Sequence, residues 1–155
     1  MKVISGGQTG ADIAALIAAR ELGLETGGFA PTGWLSENGA QEALLRSFGM
    51  IECGEPGYPP RTRANVIHSD GTLLVGDHST GGSHLTYQIA TELKKPVFIL
   101  DFVTSGITTP APVRIEEFRS WLQSNQIKTL NVAGNRESQT PGIAEFTRKF
   151  LLNAL

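Results

Sequence analysis

Three glycine-containing loops carry the residues with the clearest chemical potential. They are Gly6, Gly7, Gln8, Thr9 and Gly10; then Thr80, Gly81, Gly82 and Ser83; then Gly134, Asn135, Arg136, Glu137 and Ser138. Each loop follows an apolar segment and precedes one with helical periodicity. Free backbone amides at a helix start, together with its partial positive charge, bind anions. The spacing therefore predicts a phosphate or other anion site, although tight turns alone would also use such glycines.

Two familiar nucleotide-binding patterns are absent from the first loop. Its glycines lack the Gly-x-Gly-x-x-Gly spacing, and no lysine stands where a P-loop carries one. The sequence therefore favours neither a standard dinucleotide-dependent enzyme nor a P-loop nucleoside triphosphatase.

Arginines near these loops are candidates for neutralising an anionic ligand. Arg61 and Arg63 stand near the start of a predicted helix, and Arg136 lies in the third loop. A guanidinium group matches the geometry of phosphate and carboxylate. Arg61 and Arg63 could instead lie on a solvated helix face, and Arg136 could pair with Glu137.

Other polar and aromatic side chains have a structural interpretation beside a functional one. Asp12, in the first turn of a predicted helix, would stabilise that helix, or could bond a ligand hydroxyl. Trp34 could stack on a flat ring at the mouth of a pocket, or it could be a half-buried packing residue. His78 and His84 flank the second loop, but no further ligand has the spacing of a zinc site. We therefore expect no protein-bound metal.

Composition limits the class of protein. The 155 residues are 40% hydrophobic and 18% charged, which is typical of a globular chain and predicts one domain over residues 1–155. A net charge of −2 provides no basic field for nucleic acid or anionic membrane. The single cysteine, Cys53, excludes an internal disulfide, and the sequence has neither a signal-peptide nor a transmembrane pattern. We expect a cytoplasmic protein without nucleic-acid or membrane partners.

Short apolar runs alternate with helical segments. Strands are predicted at 3–5, 72–76, 96–100 and 128–133, and weaker ones at 27–30 and 50–52. Helices are predicted after Gly10, over 41–48 and 60–68, from a Ser83 cap, around 115–122 and from Pro141, with a loop over 104–112. Continuous apolar strands are typical of a parallel sheet covered on both faces. The predicted fold is a Rossmann-like, doubly wound α/β domain with a mainly parallel sheet and helices on both faces, in which all three loops lie at the ligand-binding edge.

The ordered set of motifs resembles the molybdenum carrier family. The residues that carry this resemblance are 6–12, 31–34, 61–66, 69–72, 80–83 and 131–138. The family belongs to a Rossmann-like group that includes the cytokinin-activating phosphoribohydrolases. The resemblance implies that fold, a homo-oligomer, and binding of molybdenum cofactor (molybdopterin), a phosphorylated pterin that holds molybdenum through a dithiolene. It also implies that 80–83 corresponds to the phosphate loop of the group.

One departure bears on activity. The phosphoribohydrolases carry Pro-Gly-Gly-x-Gly-Thr-x-x-Glu, whereas here Thr80 replaces the proline and Gln88 falls at the glutamate, and His84 and Leu85 also differ. An amide cannot act as an acid–base carboxylate, so this chemistry would need Glu137 or Asp12 instead.

We therefore expect a carrier of a phosphorylated pterin, held by the three loops and by Arg61, Arg63 and Arg136, with no residue assigned to catalysis. Two alternatives stay open at this point. One is an N-glycosidic hydrolase of a nucleoside monophosphate, and the other is a non-catalytic nucleotide sensor.

Overall fold

A computed structural model of the protein describes residues 1–102 and 111–155. The loop predicted over 104–112 lies almost entirely outside these residues. The elements, in chain order, are β1 (Lys2–Ser5), α1 (Ala11–Glu21), β2 (Glu25–Gly27), β3 (Phe29–Ala30), a 3-10 turn (Thr32–Trp34), β4 (Leu35–Ser36), β5 (Gly39–Ala40), α2 (Glu42–Ser47), β6 (Ile51–Glu52), α3 (Tyr58–Ile67), β7 (Gly71–Val75), α4 (Gly81–Glu92), β8 (Val97–Leu100), α5 (Pro112–Ser124), β9 (Thr129–Gly134) and α6 (Ile143–Ala154).

The central feature of the described chain is a five-stranded parallel sheet in the order β2-β1-β9-β7-β8. The last strand in sequence, β9, lies between β1 and β7. All five residues of β7 are buried, as expected of a strand covered on both faces. The predicted Rossmann-like α/β fold is confirmed.

Helices cover both faces of this sheet. The β1–α1–β2 connection steps toward one edge and β7–α4–β8 toward the other, so right-handed crossovers place α1 and α4 on opposite faces. Helices α5 and α6 pack on the α1 side, and α3 packs against α4. The largest apolar cluster joins α1, α5, α6 and the sheet, and includes Phe118 and Phe150. No helix in the described ranges is long and apolar enough to cross a membrane.

The segment between β2 and α3 forms a second packed unit against α1. Trp34 is buried in a cluster with Leu16, Leu45, Phe48 and Met50. Trp34 is therefore a packing residue, as one of the two alternatives expected, but it is 4% exposed and so buried rather than half-buried. The short hairpin β4–β5 extends from this unit, and its turn contains Glu37.

Two helix starts differ from the prediction. Helix α4 begins at Gly81 and not after a Ser83 cap, because Thr80 already has the extended backbone of an N-cap residue (φ −140°, ψ 164°). Helix α6 begins at Ile143 rather than at Pro141, after Gly142 with a left-handed backbone (φ 91°). Its free amides are capped from outside the helix by the Glu137 carboxylate, which accepts hydrogen bonds from Gly142 N and Ala144 N at 2.6 and 3.0 Å.

Candidate functional site

The three predicted loops meet at the carboxyl edge of the sheet, beside the open start of α4. They surround a cleft of about 460 Å³, a size typical of small-molecule sites. The residues that line it are Gln8, Asp12, Tyr58, Pro59, Arg61, Thr62, Thr80, Gly81, Gly82, Ser83, Leu85, Thr86, Ala133, Gly134, Arg136 and Gln139. Strand β9 ends at the centre of this edge, between the loops that follow β1 and β7.

The N-terminus of α4 forms one wall of the cleft. No side chain of residues 1–102 or 111–155 caps this helix, so within that part of the chain the amides of its first turn keep their hydrogens free. No heavy atom of these residues lies within 4 Å of the position that a Cβ would take at Gly81 or Gly82. Thr86 Oγ1 donates to Gly82 O at 2.9 Å and so leaves the amide groups unaffected. This wall has the features of an anion subsite.

A buried ion pair forms the floor. Arg61 Nη1 lies 3.6 Å from Asp12 Oδ2, and the two side chains are 12% and 4% exposed. The guanidinium packs so closely over Gly6 that a Cβ there would fall 1.7 Å from Arg61 Nη1. Arg61 Nε is buried without a hydrogen-bond partner in the described chain. The sequence placed both residues near the loops but not in contact with each other.

Burial dominates the electrostatics of this pair. It raises the pKa of Asp12 above 3.8, while Arg61 and backbone amides, including that of Gln8, act in the opposite direction. Burial likewise lowers the pKa of Arg61 below its usual value, opposed first by Asp12. Each group therefore depends on the other to stay charged, since an unpaired buried charge is strongly unfavourable.

A second guanidinium, that of Arg136, lies beside the same floor. The guanidinium carbons of Arg61 and Arg136 are 5.7 and 5.3 Å from the centre of the Tyr58 ring. Arg136 is half-buried and makes no salt bridge with any carboxylate of the described residues. The pairing of Arg136 with Glu137 that the sequence left open does not occur. Two cations that converge on one aromatic ring favour an anion between or beside them.

Glu37 joins the first and third loops, a role that the sequence did not indicate. Its carboxylate accepts hydrogen bonds from Thr9 Oγ1 in the first loop and Ser138 Oγ in the third. Glu37 N donates to Gln8 Oε1 at 2.9 Å. No local motif reveals this role, because these partners lie 28, 101 and 29 positions away along the chain.

The contacts of Glu37 predict a pH-dependent contribution to stability. Hydrogen bonds from Ser138 and then Thr9 hold its pKa below 4.5. A carboxyl group whose pKa is lowered on folding stabilises the protein above its unfolded pKa, and the effect is lost as pH falls through the folded value. We expect Glu37→Gln to be less stable than the wild type near about pH 7, and the difference to vanish over roughly pH 5 to 3.

Thermal unfolding across that pH range would check this. Glu55→Gln, which removes an exposed carboxylate, is the matched control and should shift the melting temperature little at any pH. A Glu37→Gln difference that persists unchanged at low pH would contradict the assigned contacts.

Some predicted site residues lie outside the cleft or make hydrogen bonds that hold the loops and helix starts in place. Arg63 is on the outer side of α3, where its guanidinium nitrogens lie 3.4 Å from the Glu92 carboxylate, away from the cleft. Asn135 joins the β7 and β9 ends, because its side-chain amide accepts from Asp77 N at 2.7 Å and donates to Asp77 O at 3.0 Å. Glu137 caps α6, as described above. The structure thus brings Arg61 and Arg136 together and leaves Arg63 out.

The histidines form no metal cluster. His84 Nδ1 lies 3.3 Å from His78 O, and the His78 ring packs 5.4 Å from the Tyr87 ring. Within residues 1–102 and 111–155, no three His, Cys, Asp or Glu side chains are grouped as metal ligands.

The fold and the cleft together define a class: a Rossmann-like α/β protein with a cleft, lined by two arginines, at the carboxyl edge of a parallel sheet. The chain belongs to the circularly permutated YpsA SLOG family, whose model matches residues 3–155. It is also similar to a crystal structure named "Putative molybdenum carrier protein" from Syntrophus aciditrophicus SB. The two chains are 37% identical, with a TM-score of 0.87, over 99% of this chain and 94% of that one. The resemblance to molybdenum carriers is thereby confirmed. No curated protein matches the chain.

Proposed function

We propose that this protein binds a phosphorylated, ring-containing small molecule in the cleft, that the ligand is molybdenum cofactor, and that the protein carries it without transforming it. The observation that carries the proposal is the convergence of Arg61 and Arg136 on Tyr58 beside the uncapped start of α4. Molybdenum cofactor combines a phosphate, an anionic metal group and a flat ring. The similarity to a protein named a molybdenum carrier supports this choice of ligand.

The parts of the cleft suit different parts of such a ligand. In this proposal the phosphate lies on the amides of residues 80–83 and the Thr80 hydroxyl. Arg136, which forms no salt bridge within the described residues, neutralises a second anionic group. Arg61 adds charge at the floor while it stays paired with Asp12. The residues of the first and third loops close the remaining sides.

A carrier needs no general base, and the two candidate carboxylates are already engaged. Glu137 caps α6, and Asp12 faces Arg61. The homo-oligomeric state and the cytoplasmic location expected from the sequence belong to the same proposal. Light scattering on the purified protein would measure the first, and fractionation of the source cells would measure the second.

Binding measurements with one pair of arginine variants test the proposal. We expect the wild type to bind molybdenum cofactor more tightly than GMP or AMP under anaerobic native mass spectrometry and calorimetry. Arg136→Ala should weaken binding about ten- to a hundredfold, since a hydrogen bond to a charged group contributes about 1.5–3 kcal/mol. Arg63→Ala removes an equal charge outside the cleft, and it should change the Kd less than about twofold.

Equal effects of Arg136→Ala and Arg63→Ala would remove the cleft from consideration as the ligand site. Failure of the wild type to bind the cofactor would reject the carrier assignment.

One observation favours a second candidate, the N-glycosidic hydrolase of a nucleoside monophosphate. Among the described residues that line the cleft, Asp12 is the only one with a carboxylate, and burial raises its pKa. Such a group resembles a general acid that protonates a leaving base. The same binding samples decide the matter by chromatography: release of free base that Asp12→Asn abolishes would establish the hydrolase in place of the carrier.

A further inference from the structure

The side-chain amide of Gln8 is buried, oriented and incompletely bonded. Gln8 is only 5% exposed and lines the cleft. Its Oε1 accepts hydrogen bonds from Thr9 N at 3.1 Å and from Glu37 N at 2.9 Å. Its Nε2 has no hydrogen-bond partner in the described chain. A buried donor without an acceptor is a rare feature in native proteins and indicates that something else supplies the acceptor.

The orientation of this amide follows from its neighbours. Rotating the amide by a half-turn would set the Nε2 hydrogens against two backbone N–H groups, Thr9 N and Glu37 N. Both contacts would then join donor to donor, so Oε1 must keep its present place and Nε2 its own. The sequence spacing alone does not define this direction, because Glu37 is distant in the chain.

Glu37 holds the turn that fixes the amide. Its carboxylate accepts from the hydroxyls of Thr9 and Ser138, and so ties the β4–β5 hairpin to the first and third loops. Glu37 therefore binds the first and third loops through its carboxylate and Gln8 Oε1 through its backbone N–H. Gln8 is presented by a rigid support, as a selective hydrogen-bond donor requires.

The position of Gln8 separates it from the anion subsite. Gln8 follows β1, residues 80–83 follow β7, and β9 lies between these strands. The ends of β1 and β7 are two strand spacings, about 10 Å, apart, so Gln8 and the α4 amides approach a bound ligand from different strand ends. A neutral amide N–H also needs no charged acceptor. The atom that Gln8 meets therefore belongs to a different part of the ligand.

We propose that Gln8 Nε2 donates a hydrogen bond to a bare acceptor on the heterocycle of the ligand, a carbonyl oxygen or an unprotonated ring nitrogen, and so selects the ring while α4 binds the phosphate. This assignment rests on the proposed function, because it uses the same cleft. A ring with an N–H group at that place would set donor against donor and would be rejected. The ligand class is thus an oxo- or aza-heterocycle linked to phosphate.

Two substitutions at Gln8 test the assignment. Gln8→Glu keeps an oxygen for Thr9 N and Glu37 N and replaces the donor with a second acceptor. Gln8→Met keeps the length and removes both polar atoms. Gln123→Met, on the exposed face of α5, is the matched control. Each variant would be titrated with molybdenum cofactor, with GMP as a ring-bearing nucleotide and with ribose 5-phosphate as a ring-free one, and circular dichroism would verify folding.

We expect Gln8→Met to weaken binding of the cofactor and GMP about tenfold or more, and of ribose 5-phosphate less than about twofold. Gln8→Glu adds a charge that repels the phosphate of all three ligands, so we expect it to weaken binding of the cofactor and GMP about tenfold more than that of ribose 5-phosphate. Gln123→Met should leave all three affinities unchanged. If Gln8→Met does not fold, Gln8→Glu decides the question alone, because it preserves the acceptor that supports the loop.

The failures of the two proposals are distinguishable. Wild-type protein that binds none of the three probes overturns the proposed function, and the Gln8 assignment falls with it. Wild-type binding of the cofactor or GMP that the Gln8 variants leave intact, or that they weaken equally with ribose 5-phosphate, overturns the Gln8 assignment alone. The Gln8 assignment is also overturned if the wild type binds ribose 5-phosphate as tightly as it binds the ring-bearing ligands.

Discussion

Replacing Arg61 with methionine should lower the free energy of unfolding by about 3–5 kcal/mol, because Asp12 would be left buried without its cation. The Asp12 side chain is 4% exposed, and its Oδ2 lies 3.6 Å from Arg61 Nη1. Methionine fills much of the same volume, so loss of charge rather than a cavity dominates the effect. Arg63→Met, two residues further along α3, is the matched control. Its side chain is 48% exposed and pairs at the surface, so we expect a loss below about 1 kcal/mol.

The loss of stability in Arg61→Met should depend on pH in a direction that follows from the pKa of Asp12. Without Arg61, the pKa of Asp12 rises further above 3.8, because the nearest cation that lowered it is gone. A carboxyl group whose pKa is raised on folding favours the folded state at low pH, and this advantage is lost as pH rises. The stability deficit of Arg61→Met should therefore shrink as pH falls from neutral. Urea unfolding at several pH values measures it directly.

A double variant separates stability from binding. Asp12→Asn with Arg61→Met leaves no buried charge and should recover most of the lost stability, while ligand affinity stays low because one cation of the cleft is missing. If the double variant is as unstable as Arg61→Met alone, the Asp12 charge is not the cause of the loss. A deficit equal to that of Arg63→Met would likewise contradict the buried pair.

Gly10→Ala should also destabilise the protein strongly, by on the order of 3 kcal/mol. A Cβ at this position would lie 2.3 Å from Asn135 O and 2.8 Å from Glu137 N. Both are backbone atoms of the third loop, so they cannot rotate away as a side chain could. The backbone of Gly10 (φ 79°, ψ −128°) is also one that residues with a side chain rarely adopt. Relief of the overlap would require the first and third loops to separate.

Gly23→Ala isolates the backbone contribution. Gly23 has a similar positive φ of 70°, but no heavy atom of the described residues lies within 4 Å of its Cβ position. We expect Gly23→Ala to lower the free energy of unfolding by about 1 kcal/mol, the ordinary cost of a side chain in this conformation. Urea unfolding of the two variants gives the comparison. Similar losses at both glycines would mean that close approach of the two loops contributes nothing.

Most of the sheet could be predicted from local sequence. The apolar run predicted at 72–76 is β7 (Gly71–Val75), and the run at 96–100 contains β8 (Val97–Leu100). Such runs form buried parallel strands because both of their faces must leave water. Helix starts were less accurate, as at Ser83 and Pro141. At α6 the reason is that the residue that binds the free helix amides is not the nearest one in sequence. Glu137, which caps α6 from outside the helix, is that residue.

The candidate site could be predicted only in outline. The loops containing Gln8, Thr80 and Arg136 were expected at one edge, because the carboxyl ends of parallel strands share it. Their roles as ligand contacts stay predictions. Arg61 and Arg63 looked equivalent in sequence, yet helix geometry turns Arg61 into the cleft and Arg63 toward Glu92.

The sequence by itself determined the alternation of strands and helices and the position of the glycine loops, since both depend on the near neighbours of each residue. Only the tertiary structure decided which side chains meet. Asp12 faces Arg61, and Glu37 reaches Thr9 and Ser138, across long separations in the chain. These pairings depend on how the sheet orders its strands and on where the hairpin packs. No periodicity or motif encodes such distances, because they arise from contacts between segments that are remote in sequence.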